Sequence, residues 1–330
     1  MRARTCQHKS RSLLVVRYFS ASLKKVVSTF LGLFTLEGQS AQQIAQGLLD
    51  FLTSVGLDFM RCIGIGTDGC NVMVGKNNSV YTHLRRKNDT LVLVKCVYHS
   101  IQLCASRAVE VLPRNLEFLV GRSYSWFSHS APRRQEYDTI YRLINSGKEP
   151  LKLVQLSGTR WLSISSCCKR ILEQWEELKL LFALCKEKYR CYDAEILSEV
   201  YRDPVNKLYL EFLNPLLQEF SRINKLFQLE TGNLLNLVDC LQNFFRSMIC
   251  RVINPSYIPA AGEGLLEVNL EDSATHLPLS ALDFGVKFNI EMAASKLNAE
   301  QERDLKLRCR DFIFEAARQV QLMLPPNIQL

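Results

Sequence analysis

The chain has 330 residues, 47% of them hydrophobic, enough to fill one large or two ordinary packed domains. No window approaches the run of about 18 apolar residues that a membrane span needs, and residues 1–12 are polar and basic without a signal-peptide core, so neither insertion nor secretion is expected. The net charge of +8 is unevenly spread: through Leu162, 22 Lys and Arg stand against 10 Asp and Glu, whereas from Ser163 onward 19 stand against 23. A basic first part suits a polyanion such as DNA, and the remainder reads as helical scaffold. The 12 cysteines are scattered, with one adjacent pair, Cys167–Cys168, and no C-x-x-C knuckle. Reduced thiols are therefore expected, rather than a zinc ribbon or a disulfide framework.

Leu13 to Phe19 and Val26 to Phe34 are β-branched and aromatic runs split by polar residues, the pattern of an antiparallel hairpin. Ser40 precedes Gln43 by the spacing of a capping box, and Ala41, Ile44, Ala45, Leu48 and Leu52 recur at helical period until Gly56. A strand is expected over Phe59 to Gly66, ending at Asp68-Gly69-Cys70-Asn71, then a helix to about Arg86 whose basic end Arg85-Arg86-Lys87 suits the helix dipole. A strand from Leu91 to Val97 leads through Cys96-Val97-Tyr98-His99 into a helix reaching Pro113, with another over Asn115 to Ser128. Thr159-Arg160-Trp161-Leu162-Ser163 opens a long helix through Leu184, and the rest reads as helical around a loop at 254–280. A last helix begins at the Asn298/Gln301 cap and is stopped by Pro325-Pro326.

The order hairpin, helix, strand ending in Asp, helix, strand, helix is that of a ribonuclease-H-like sheet without its first strand. Three motifs sharpen it: Gly66-Thr67-Asp68-Gly69-Cys70-Asn71-Val72-Met73, then Cys96-x-x-His99, then Thr159-Arg160-Trp161-x-Ser163 before a helical region. This ordered set resembles the hAT superfamily of DNA transposases, in particular its domesticated zinc-finger-type (BED- or SCAN-associated) derivatives, and the resemblance covers most of the chain from about Ser12. It implies an α/β fold: a partial ribonuclease-H-like domain over 1–162, followed by a mainly α-helical insertion domain over 163–330. Asp68 would correspond to the second of three acidic metal ligands, Cys96 and His99 to a pair near the active site, and Arg160 and Trp161 to a pair that handles the DNA end. A nuclear location follows from the same resemblance.

The departures carry as much weight. Met1 to Arg11 has no Asp or Glu to serve as the first ligand, and no segment before Leu330 matches the one that carries the third ligand, a Glu, or the adjoining dimerisation region, so homo-oligomerisation is left open. No Cys and His spacing for an N-terminal zinc finger is found. Strand transfer in this class needs two divalent ions about 4 Å apart, bridged by carboxylates. Asp68 alone would hold at most one Mg²⁺ weakly, with phosphates and waters completing its shell. The expectation is a catalytically inactive remnant that needs no cofactor and keeps a role in binding nucleic acid or nuclear proteins. Two alternatives are an enzyme completed by another polypeptide and a helical interaction scaffold with no DNA role. The absent central strand further predicts a gapped or distorted sheet.

Single residues also have plainer readings. Asp68 suits the N-cap of a helix starting near Gly69. His99 suits a helix N-terminus with Ser100 as cap, and Cys96 a core thiol; two ligands are too few for structural zinc. Trp161 serves equally as packing or as a base-stacking platform, and Arg160 is the better phosphate contact. Arg85-Arg86-Lys87 and Arg133-Arg134 are solvated helix ends on general grounds and the further nucleic-acid candidates.

Overall fold

A computed structural model of the chain describes residues 11–36, 38–154, 161–228, 234–259 and 264–324, without the side chains of 161–164 and 234–235. The fold is mixed α/β, with small sheets and a large helical region, and it divides into two compact units, Met1–Ser100 and Ile101–Leu330.

In the first unit, β1 (Arg11–Ser20) and β2 (Lys25–Thr35) form the expected antiparallel hairpin, running from Arg11 opposite Thr35 to Ser20 opposite Lys25. The turn is tight because Lys24 adopts φ +49 and the Ser20 hydroxyl accepts from the Leu23 amide. One residue, Leu31, is extra: Val15 pairs with Phe30 and Leu14 with Gly32, so a bulge interrupts β2. Helix α1 (Ala41–Ser54) starts at the expected Ser40/Gln43 capping box and gives way to Gly56 at φ +75. It lies against the hairpin, where Phe34 and Phe51 stack at 5.6 Å. Gly32 admits this approach, since a Cβ there would sit 2.6 Å from the Phe51 ring.

The following segment corrects the sequence reading. Phe59–Arg61 is a 3-10 turn, because Asp58 accepts from the Met60 amide, and the strand β3 is only Gly64–Thr67. The single helix expected to Arg86 is two, α2 (Asn71–Val74) and α3 (Val80–Arg85). They are separated at Gly75, whose ψ of 147 leaves the helix, and restarted by a second capping box at Ser79 and Thr82. β4 (Val92–Lys95) is parallel to β3, with Gly64 opposite Val92 and Thr67 opposite Lys95. The expected strand to Val97 stops short, because Val97 already opens helix α4 (Val97–Val109).

The four strands form two separate pairs, β1–β2 and β3–β4, instead of one continuous sheet. An isolated parallel pair is unusual, since parallel strands are normally covered on both faces. Here Val92, Val94 and the adjoining Ile63 are exposed. What holds the unit is a cluster of Ala41, Ala45, Leu48, Val80, Leu84 and Leu91, with Leu14, Phe34, Ile65 and Met73 packed around it.

The second unit contains the remainder of α4, α5 (Asn115–Ser128), α6 (Ala131–Ile144), α7 (Trp161–Leu172), α8 (Trp175–Tyr189), α9 (Tyr192–Arg202), α10 (Pro204–Leu226), α11 (Leu234–Ile249), α12 (Val286–Ala294) and α13 (Ala299–Gln321). The long helix expected through Leu184 is interrupted at Gln174, which is fully buried and uses its amide to donate to the Leu151 carbonyl and accept from the Tyr137 hydroxyl. Residues 254–259 and 264–280, the described parts of the expected loop, are irregular and threaded with short 3-10 turns. Pro325-Pro326 lies outside the described residues. The sequence boundary at 162/163 is not where the compact units divide. Helices α5 and α6 pack on α7, α8 and α9, around Tyr201, whose hydroxyl meets Ser123 at 2.8 Å, and Trp126, which meets Phe182 edge to face.

Candidate functional site

β3 and β4 run parallel in register, so their carboxyl ends lie side by side, the place where open α/β sheets collect chemistry. The Cys96 amide extends the ladder by donating to the Thr67 carbonyl at 2.8 Å. Asp68 and Cys96, 28 positions apart in the chain, thus follow directly on two hydrogen-bonded strand ends. Asn88 steadies the approach to β3. Buried beneath it, this residue donates to the Cys62 carbonyl at 2.9 Å while its own oxygen accepts from Thr90.

Asp68 is exposed and does not cap a helix in the expected manner. The N-cap position belongs to Cys70, and Asp68 Oδ1 instead accepts from the Cys70 amide at 3.3 Å, closing an Asx turn. The Cys70 thiol is held above its ordinary pKa, first by partial desolvation and next by its hydrogen bond to the Asp68 carboxylate. His99 is half-buried in the first turn of α4, the helix N-terminus its plainer reading gave it. Ser100 is not its cap: its hydroxyl donates back to the Cys96 carbonyl at 3.1 Å from within the helix.

This donor set, one carboxylate with two thiols and an imidazole nearby in sequence, does not fit a centre of two Mg²⁺ ions bridged by carboxylates. Among the described residues no three His, Cys, Asp or Glu side chains converge as a metal cage.

The basic candidates separate into two kinds. Arg85, Arg86 and Lys87 are exposed together at the end of α3, and among the described residues none of them forms an ion pair. Arg133 and Arg134 stand at the start of α6, Arg134 exposed as expected of a helix end and Arg133 half-buried. The Arg133 guanidinium lies 3.7 Å over the Trp126 ring and donates to the Trp126 carbonyl, and Arg134 donates to the carbonyls of Phe127 and Ser128. They tie the start of α6 to the end of α5. Arg160 lies outside the described residues, and Trp161 is described only as the first residue of α7.

Two arrangements escaped the sequence reading. The Cys70 thiol beside Asp68 was visible in principle from its i, i+2 spacing. An open groove of about 660 Å³ along α5, lined by Arg114, Phe118, Arg122 and His129, follows the i, i+4, i+8 spacing of one helix face; Arg122 there faces Asp193 at 3.8 Å.

No protein-family model matches this chain, and no curated protein matches it.

Proposed function

We propose that the chain is a transposase-derived protein of the hAT type, built on a ribonuclease-H-like core interrupted by helices, that has lost strand-transfer chemistry and binds nucleic acid in the nucleus through its basic first part. The observation that carries this reading is the hydrogen bond from the Cys96 amide to the Thr67 carbonyl at adjacent carboxyl ends of parallel strands. It brings two of the ordered family motifs, the one around Asp68 and Cys96-x-x-His99, to one edge of the fold. The loss of chemistry follows from the donor set, which supplies one carboxylate where two ions need several. Arg85, Arg86 and Lys87, exposed and without acidic partners among the described residues, are the residues best placed to meet phosphates.

The test is anisotropy of the full chain on a labelled duplex of arbitrary sequence, titrated with KCl. Binding is expected to show little sequence preference and to weaken linearly in log–log form, with a slope near −0.9 per phosphate neutralised. Replacing Arg85, Arg86 and Lys87 together by Ala should flatten that slope; binding that ignores salt, or no binding at all, overturns the reading. Mg²⁺-dependent nicking that disappears in Asp68→Ala would overturn the inactive assignment alone.

A further inference from the structure

The two faces of the β1–β2 hairpin differ sharply. On one, Leu14 and Phe34 pack with the α1 cluster and Val16 and Val27 are half-buried, with Tyr18 exposed toward the turn. On the other, the register sets Leu13 opposite Leu33, Val15 opposite Phe30 and Phe19 opposite Val26, and all six side chains are 50–66% exposed. Neighbouring apolar pairs of this kind ordinarily stabilise a sheet by being covered, and three such pairs on one face, the last set off by Arg17 opposite Ser28, are uncommon on an unpartnered surface. Arg11 and Arg17 share that face by strand alternation, with Lys24 and Lys25 at its turn end. Residues 11–36 contain no Asp or Glu, and none of these four cations forms an ion pair among the described residues.

We propose that this face is a docking site for an amphipathic α-helix of a partner protein, one whose apolar stripe is flanked by carboxylates. The shape follows from the layout. The apolar pairs run along the ribbon, which at about 3.3 Å per residue is on the order of 30 Å long, the length of a helix of about 20 residues. The acidic flanks follow from the unmatched cations. A second copy of the same face would set Arg11, Arg17, Lys24 and Lys25 against their own equivalents. Nucleic acid would satisfy the cations but strand six apolar side chains. A membrane surface would be met by the turn, where Leu23 is the one large apolar residue among Ala21 to Lys24. The proposal goes beyond the nucleic-acid reading and stands on the hairpin alone.

The experiment titrates the full chain against two labelled synthetic 20-residue peptides that share a Leu stripe at i, i+3, i+4 and i+7, one flanked by Glu and the other by Lys. The Glu-flanked peptide should bind at least tenfold more tightly. The double variant Val15→Ser/Phe30→Ser, which alters only side chains turned away from α1, should weaken it at least tenfold, and Arg17→Glu alone should narrow or reverse the preference. Equal binding of the two peptides, or undiminished binding by both variants with wild-type circular dichroism, overturns the proposal. So does displacement of the Glu-flanked peptide by vesicles of 7:3 phosphatidylcholine and phosphatidylserine, or by a dimer seen in sedimentation velocity, since either would identify a different occupant. Failure to bind DNA leaves this result untouched, which keeps the two readings separable.

Discussion

Asn88 Nδ2 donates to the carbonyl of Cys62 across 26 residues, 2.9 Å from a side chain that is 2% exposed. That bond, with a longer one to the Phe59 carbonyl, fixes the chain just before β3 and so fixes where Asp68 emerges. Asn88→Ala leaves the half-buried Cys62 carbonyl without its partner and is expected to cost about 1–3 kcal/mol, read as a lower urea midpoint. Asn88→Asp should cost more at neutral pH than at pH 4, because an ionised carboxylate would then face two carbonyl oxygens.

The Cys70 thiol keeps its proton more firmly than an ordinary thiol, partly because the Asp68 carboxylate accepts its hydrogen bond. Only the thiolate is nucleophilic. Alkylation of Cys70 by iodoacetamide, followed by peptide mass spectrometry between pH 7 and 10, should therefore reach half its maximal rate at a higher pH than a model thiol. Asp68→Ala should move that midpoint down. An unchanged midpoint would mean that the carboxylate does not govern the thiol.

Arginines that look alike in the sequence should behave differently. Arg133→Ala removes a guanidinium stacked on Trp126 and a bond to its carbonyl, so a loss of roughly 1–2 kcal/mol is expected, only partly recovered by Arg133→Lys. Replacing Arg85, Arg86 and Lys87 by Ala should leave the unfolding midpoint within about 0.5 kcal/mol of wild type while weakening DNA binding. Chemical denaturation and anisotropy on the same preparations separate the two effects.

Glu211 is buried in α10, with Oε2 lacking a hydrogen-bond partner among the described residues. Burial is the main cause that pushes its carboxyl above the ordinary value, the Glu291 charge adds to it, and Lys287 and Lys207 oppose it. The native state therefore holds this proton more tightly than the unfolded chain. The associated stabilisation is complete below the unfolded pKa and is lost as pH rises through the folded one. Glu211→Gln should accordingly become more stable relative to wild type as pH increases from 4 to 7.5, as measured by thermal midpoints across that range. A difference that stays flat would show that Glu211 titrates normally.

Legibility followed the range of the interactions. The hairpin, α1, α5 and α13 could be read from alternation, helical period and the caps at Ser40 and Asn298, all set by residues within a few positions of each other. The break at Gln174 could not, because Gln174 is held by Leu151 and Tyr137, contacts that no local pattern announces, whereas the break at Gly75 has local signals in Gly75 itself and the Ser79/Thr82 box. The same distinction applies to the candidate site. Asp68 and Cys96 stood out as motif residues, but their adjacency depends on the parallel register of two four-residue strands. Arg133 looked solvated because Trp126 and Tyr189, its ring partners, lie on other helices.

The extra residue Leu31 acts as a parity switch for β2. Before it the even-numbered residues Val26 and Phe30 face outward, and after it the odd-numbered Leu33 does. Deleting it would join Phe30 directly to Gly32 and leave Val15 opposite Phe30, Leu14 opposite Gly32 and Leu13 opposite Leu33 in an uninterrupted ladder, so every downstream residue would keep its face. The hairpin's two-sided character is thus carried by the alternation on either side of the bulge, and β2 tolerates the loss of this one residue while a loss at a paired position would turn its neighbours over.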